Sequence, residues 1–474
     1  MNTRVRELLS NTLLFTVANF GSKLMVFLMV PLYTAVLSTN EYGIADMVQT
    51  TATMLIPILT AMIAEGVLRF CFLKEYSSNE VFSIGIRITL LGAFLGTLLC
   101  ICFLYIPFFR DLGLYVLFIP VLFLSNSMIN LFHKYSRGIG NVKVSATAGL
   151  ISTLIVILLN LFFLLVLKIG VLGYLMAYAL GDFVAIAYMA LKNNAVKAYT
   201  STKNQNLRTD MLKYSIPLVP NSLSWWALSS VNRYVMLAWL GVSAVGIYSA
   251  TLRIPTILTV LCDIFAQAWL LSALKDYGSD ESKRFIRSMH NKYFALLSVL
   301  TAFIILLSYP LAKVLLSGDF SQYWWVTPYL FISVFYGALV GFLGSIFSSE
   351  RKNTMQFVST MIGAIMSILI TLLFLKQHGV YVVAISTMVG FYVIWLIRRI
   401  AVNKYINVGY GTINSSLQGT ILLAEAILVG REMYLLAILC VIALIVINIK
   451  EWIVILKFGM LEIGNIVNRD KNKL

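Results

Sequence analysis

The chain reads as an all-α polytopic membrane protein: two six-helix bundles in pseudo-repeat, followed by two further helices. Three observations predict this. Of 474 residues, 60% are hydrophobic and 12% charged, whereas ordinary soluble domains run near 45–50% apolar and about 25% charged. Apolar runs of about 20 residues, enough to cross a bilayer core as a helix, recur along the chain. The two halves also repeat one another's landmarks in the same order.

The runs fall at 12–37, 43–68, 83–108, 112–135, 144–168, 170–192, 213–240, 243–272, 290–316, 323–348, 354–376 and 380–402, with two more near 416–431 and 433–456. The thirteenth is short and carries Glu425, so fourteen spans are expected and twelve is the alternative. The first run is too long for the apolar region of a secretory signal and lacks a small-residue cleavage site, so it is read as a span.

Charge tests this count. With the N-terminus inside, the inner connections collect most of the cations, among them Arg4, Lys74, Arg137, Lys203, Arg284, Arg351, Arg398, Arg399 and Lys471. The outer connections hold only Arg110, Lys168, Lys313, Lys376 and Arg431. This asymmetry follows the positive-inside rule and places both termini in the cytoplasm. The net charge of +16 thus reflects topology and contact with anionic lipid. Cations scattered over short loops argue against a nucleic-acid partner.

The five cysteines, Cys71, Cys100, Cys102, Cys262 and Cys440, lie in or beside apolar segments. Cys100 and Cys102 point to different faces of a helix and have no histidine nearby, so they read as packing residues and no metal site is expected. His133, His290 and His378 read as loop residues. Trp239 and Trp324-Trp325 read as an interfacial aromatic belt.

The repeat is visible in short matches. Leu37-Ser-Thr-Asn-Glu-Tyr-Gly43-Ile44 and Leu240-Gly-Val-Ser-Ala-Val-Gly246-Ile247 stand at a constant offset, each closing one span and opening the next. Arg137-Gly-Ile-Gly-Asn141 and Glu350-Arg-Lys-Asn353 precede spans five and eleven, and each is followed by a Gly-Val step. Matched order across both halves indicates a parallel repeat. The expected division is an N-lobe at 1–192, a cytoplasmic linker at 193–212, a C-lobe at 213–402, and a helix pair with a basic tail at 403–474.

Prolines and charges then coincide. Pro31, Pro57, Pro217, Pro220 and Pro255 fall in the first two spans of each lobe, where a missing backbone donor bends a helix around a cavity. The same spans carry Lys23, Glu65, Arg69, Arg233, Arg253 and Asp263. A cation at the centre of a membrane helix costs about 2.5–3.5 kcal/mol on insertion scales. Lys23, Arg233 and Arg253 are therefore expected to face a polar cavity, and a cationic cavity suits an anionic cargo.

At this point the chain resembles the polysaccharide flippase family of the multidrug/oligosaccharidyl-lipid/polysaccharide exporter superfamily. The resemblance rests on Pro31-Leu-Tyr-Thr-Ala-Val-Leu-Ser-Thr-Asn-Glu-Tyr-Gly-Ile-Ala-Asp46, on Arg137-x-x-x-Asn141, on Asn160 with Gly170-Val-Leu-Gly173, and on Asn232-Arg233 with Gly246-Ile-Tyr-Ser249. It covers about residues 1–450. It implies a V-shaped pair of helical bundles in the bacterial inner membrane. The implied activity is to flip undecaprenyl-diphosphate-linked oligosaccharide outward for O-antigen, capsule or exopolysaccharide, alongside glycan polymerase and assembly proteins. Where related chains often carry an acid before the arginine of span seven, this one has Asn232, which puts a salt bridge with that neighbour in question.

On this reading Lys23, Arg69, Arg233 and Arg253 hold the diphosphate, guanidinium forks matching its oxygens. The competing reading pairs Lys23, Arg233 and Arg253 with a buried acid such as Asp46 or Asp182. Glu65 and Arg69, four apart, can instead pair on their own helix. Asp263, Glu65 and Asp182 are the candidates for coupling to H⁺ or Na⁺. No cofactor is expected, and the chain has no G-x-x-x-x-G-K-[ST] phosphate loop for a nucleotide. An enzyme is not expected, since the short outer loops offer few carboxylates. The alternative function is export of drugs or of another lipid-linked precursor.

Overall fold

The computed structural model describes residues 27–454 except 74, 201–203, 274–279, 351, 405 and 407, together with Gly21, Leu24 and Met25. Among them every regular element is helical. Helices α1 (Val30–Val36), α2 (Thr39–Leu59) and α3 (Ile63–Phe72) come first. A capping box opens α2. The Glu41 N–H donates to Ser38 Oγ at 3.2 Å and the Ser38 N–H to Glu41 Oε2 at 2.9 Å, which satisfies two donors that a helix start leaves unpaired.

Helices α2 and α3 are together long and apolar enough to cross a membrane and are bent by 54° at the break between them. The break follows Pro57 and runs through Ala61 and Met62, both left-handed at φ 50° and 55°. The chain continues through α4 (Ser78–Phe103), a 3-10 segment (Pro107–Leu117), α5 (Phe118–Gly138), α6 (Val142–Asn160) with a π turn (Leu161–Val166), and α7 (Gly170–Lys192). The short α8 (Ala195–Ala198) and α9 (Gln205–Ser215) lead to α10 (Val219–Leu240).

Next, α11 (Val242–Thr251) and α12 (Thr256–Ala273) repeat the break of the second span at 53°, beside Pro255. Pro31 and Pro220 instead stand in the first turn of α1 and α10, where the missing N–H has no ladder partner to lose. The remaining helices are α13 (Asp280–Leu306), α14 (Ser308–Leu315), α15 (Thr327–Ser349), α16 (Asn353–His378), α17 (Tyr381–Val402), α18 (Thr412–Gly430) and α19 (Tyr434–Ile447).

Among the described residues nine helices are long and apolar enough to cross a membrane, and the two bent pairs add two. The less apolar α10 and the shorter α19 match expected spans seven and fourteen. The first half of span one, with Lys23, lies largely outside the described residues.

Packing defines two compact units. Of the described residues, one contains those up to Val260 with Val314–Ser321 and Thr371–Val380; the other contains those of Leu261–Lys313, Gln322–Ile370 and from Tyr381 on. This division follows contact density, whereas the lobes at 1–192 and 213–402 concern internal symmetry. The two differ because α11 packs tightly on α2.

That crossing has almost no side-chain spacer. A Cβ on Gly43 would overlap the Val242 carbonyl oxygen, and one on Gly246 would overlap that of Thr39. Small residues let membrane helices approach to backbone contact. The contact is reciprocal between repeat-related positions, and it continues at Ser249, whose hydroxyl donates to Asp46 at 2.7 Å. The repeat seen in sequence is therefore also a packing relation in space.

Helix α9, from the polar run at 193–212, packs within the first unit. Leu207 and Met211 of α9 are buried in a cluster with Val67 of α3, Phe82 of α4, Leu131 of α5 and Met189 of α7.

In the second unit α15 pairs with α17, and α13 packs on both α18 and α19. A buried polar network joins these helices. Asn448 donates to Gln418 Oε1 at 2.8 Å and Ser298 Oγ at 3.3 Å, and it accepts from the Tyr410 hydroxyl at 2.9 Å. The last two helices are thus built into this unit. Two arginines expected in an inner loop are also buried here. Arg398 donates to Ser359 Oγ, Val340 O, Gln356 O and Thr360 Oγ1 at 2.9–3.1 Å, and Arg399 donates to Val408 O. Carbonyl and hydroxyl dipoles hold these cations inside the fold. His290, read from sequence as a loop residue, lies fully buried on α13 beside Arg399. His133 likewise sits on α5, bonded to Ser145 at 2.8 Å.

Candidate functional site

The close α2–α11 crossing fixes a polar seam in the first unit. Tyr42 and Asp46 lie one turn apart on α2 and therefore share a face. Asp46 is buried and forms an ion pair with Arg233 of α10, Nε to Oδ2, at 3.1 Å. Ser249 donates to the same Oδ2, and Arg233 Nη1 donates to Ser230 Oγ at 3.1 Å. Next to Arg233, the Tyr234 hydroxyl lies 2.9 Å from Thr51 Oγ1, which tethers α10 to α2.

Arg253, at the break between α11 and α12, donates its Nε–H to the Tyr42 hydroxyl at 3.3 Å. Tyr42 belongs to an aromatic group: its ring meets Tyr174 at 6.3 Å and Phe320 at 5.8 Å, while Tyr174 meets Tyr33 at 4.9 Å and Tyr178 at 4.9 Å. The two arginines thus differ in setting. Arg233 is neutralised by Asp46. Arg253 faces tyrosines, and among the described residues its terminal nitrogens have no hydrogen-bond partner. The seam keeps a net positive charge and offers a guanidinium fork beside aromatic faces. Such a group can hold an oxyanion and stack against a sugar ring.

The other expected site residues disperse. Lys23 lies outside the described residues. Glu65 does not pair with Arg69 as their spacing allowed: its Oε1 is 2.7 Å from Lys134 Nζ. Arg69 instead lies over the Tyr214 ring, 4.3 Å from its centroid. Asp182 is half-buried on α7 and accepts from Ser152 Oγ at 3.2 Å. Asp263 is half-buried on α12 in the second unit, with a polar contact of its own. Glu425 is fully buried on α18, and among the described residues neither carboxylate oxygen has a hydrogen-bond partner.

Sequence reasoning missed the tyrosines at 33, 42, 174 and 178. A signal for two existed, because Tyr33 and Tyr42 stand within the motif that ends at Asp46. Sequence reasoning did name Asp46 as a possible structural partner of the arginines, and the structure pairs it with Arg233.

Residues 8–271, more than half of the chain, match the profile of a family described as polysaccharide biosynthesis protein. No curated protein matches. Several solved structures share the fold. An inward-facing multidrug resistance MATE family transporter of the MOP superfamily is 15% identical, with 82% of this chain and 95% of that chain covered and a TM-score of 0.65. The lipid II flippase MurJ in an inward closed conformation is 15% identical, with 92% and 98% covered and a TM-score of 0.63. An outward-facing MATE family transporter is 16% identical, with 83% and 96% covered and a TM-score of 0.59. The chain is a multi-pass membrane protein of the polysaccharide biosynthesis protein family, with the fold of the multidrug/oligosaccharidyl-lipid/polysaccharide exporter superfamily.

Proposed function

We propose that this protein is a transporter that flips undecaprenyl-diphosphate-linked oligosaccharide from the inner to the outer leaflet of a bacterial cytoplasmic membrane by alternating access. The product serves O-antigen, capsule or exopolysaccharide synthesis. Arg253 carries the reading: a guanidinium among tyrosines at the break of a membrane span, in a chain of this family. It holds the diphosphate, while the polyprenyl tail stays in lipid. Lys23 is the second diphosphate contact on this account, and Arg69, over Tyr214, is a more distant one.

Arg233 supports the site from its pair with Asp46 and meets cargo only where that pair opens. The membrane potential, negative inside, favours outward movement of the charged headgroup by about 2.3 kcal/mol per charge per 100 mV. Asp182 and Asp263 are the candidates for coupling to H⁺ or Na⁺; Glu65, held by Lys134, is the weaker one. The positive seam disfavours the organic cations that a drug exporter would carry.

In a strain lacking this protein, surface glycan is expected to disappear while intact lipid-linked repeat units accumulate on the inner leaflet. Unchanged glycan together with altered sensitivity to cationic drugs would replace this reading with the exporter alternative.

A further inference from the structure

A second cationic recess lies away from the seam, where α4 meets the start of α9. It has a volume of about 350 Å³, within the range of small-ligand sites. Arg87 and Arg208 line it, with Asn204 and Gln205 from the first turn of α9. The positive end of that helix adds to the two guanidinium charges.

The groups around it fix its shape. Arg87 donates Nη2–H to the Thr200 carbonyl at 2.6 Å and Nε–H to the Tyr199 hydroxyl at 3.4 Å. Asn204 caps α9 through Leu207 N–H and donates to Glu80 Oε2 at 3.3 Å, which engages the nearby carboxylate. Arg208 is exposed, and among the described residues its guanidinium has no ion-pair or hydrogen-bond partner.

The remaining lining is apolar. It consists of Ile84, Ile88 and Leu91, successive turns of one face of α4. From Leu91 the exposed face continues through Phe94, Leu95 and Leu98. A polar cationic pocket that opens onto an exposed hydrocarbon stripe is complementary to an anionic amphiphile.

We propose that this recess binds one anionic phospholipid, with its phosphate between Arg87 and Arg208 and an acyl chain along the stripe from Leu91 to Leu98. The bound lipid would bridge α4 to the start of α9 within the first unit. This site is independent of the cargo seam.

The test is a titration of the full-length protein in detergent with dioleoyl phosphatidylglycerol, bound lipid being counted by native mass spectrometry. One lipid is expected to bind more tightly than the rest. Each arginine near an anionic headgroup contributes on the order of fivefold, so Arg208→Gln should weaken that lipid about fivefold and Arg87→Gln/Arg208→Gln about thirtyfold. Arg284→Gln/Arg287→Gln, at exposed positions of α13, should leave it unchanged, and phosphatidylcholine should not displace it. Arg87 also holds Thr200, so the exposed Arg208 carries the test if the double variant fails to fold. Unaltered binding by Arg208→Gln, or equal displacement by phosphatidylcholine, would overturn the proposal. Displacement by inorganic phosphate at the same concentration would overturn it in favour of a free-anion site.

Discussion

Asp46→Ala is expected to cost about 3–5 kcal/mol of stability, because it leaves the Arg233 guanidinium buried without its carboxylate. The side chains of Arg233 and Asp46 are only 15% and 8% exposed, so solvent screens the loss weakly. Ser249 loses its acceptor in the same variant. The double variant Asp46→Ala/Arg233→Met removes both charges and is expected to recover most of the loss. Thermal unfolding in detergent across this double-mutant cycle gives the coupling. Additive losses would show that the ion pair does not organise the α2–α10–α11 junction.

Gly246→Leu is the other large effect. Any side chain there drives a Cβ into the Thr39 carbonyl oxygen, and backbone cannot yield as a side-chain tip can. Overpacking a fitted contact costs about 1–3 kcal/mol, and here the helices themselves must separate. Folded protein recovered from membranes is expected to fall steeply for Gly246→Leu and Gly43→Leu. Gly341→Ala in α15, where a methyl meets nothing within 4 Å, is the matched control and should fold normally. Equal recovery of all three would contradict the close crossing.

The spans were legible because hydrocarbon imposes a length and an apolar composition on every helix that crosses it. The broken second helix of each half was legible from Pro57 and Pro255, since a missing donor leaves few alternatives to a bend. The glycines at 43 and 246 were readable as equivalent positions, but equivalence does not imply adjacency. Only the crossing of α2 on α11 makes them touch.

Partner choice was the least legible feature. The i, i+4 spacing of Glu65 and Arg69 permits an ion pair worth only about 0.2–0.5 kcal/mol, too little to outweigh Lys134 and Tyr214 arriving from other elements. Arg398 and Arg399 looked like inner-loop charges because they end an apolar run. Their carbonyl and hydroxyl partners on α15, α16 and the segment at Val408 leave no mark in sequence pattern. Arg253 was legible as a cation inside a span; its tyrosine surround was not, because Tyr33, Tyr42, Tyr174 and Tyr178 assemble from three helices.

The measurement that tests the central claim most directly is glycan export in cells carrying Arg253→Gln, with the amount of folded protein in the membrane determined in parallel. Gln keeps a hydrogen-bond donor for Tyr42 but removes the charge. Normal protein levels, lost surface glycan and lipid-linked repeat units retained on the inner leaflet are the expected result. Undiminished export from Arg253→Gln, and likewise from Arg233→Ala, would show that these cations do not hold the cargo.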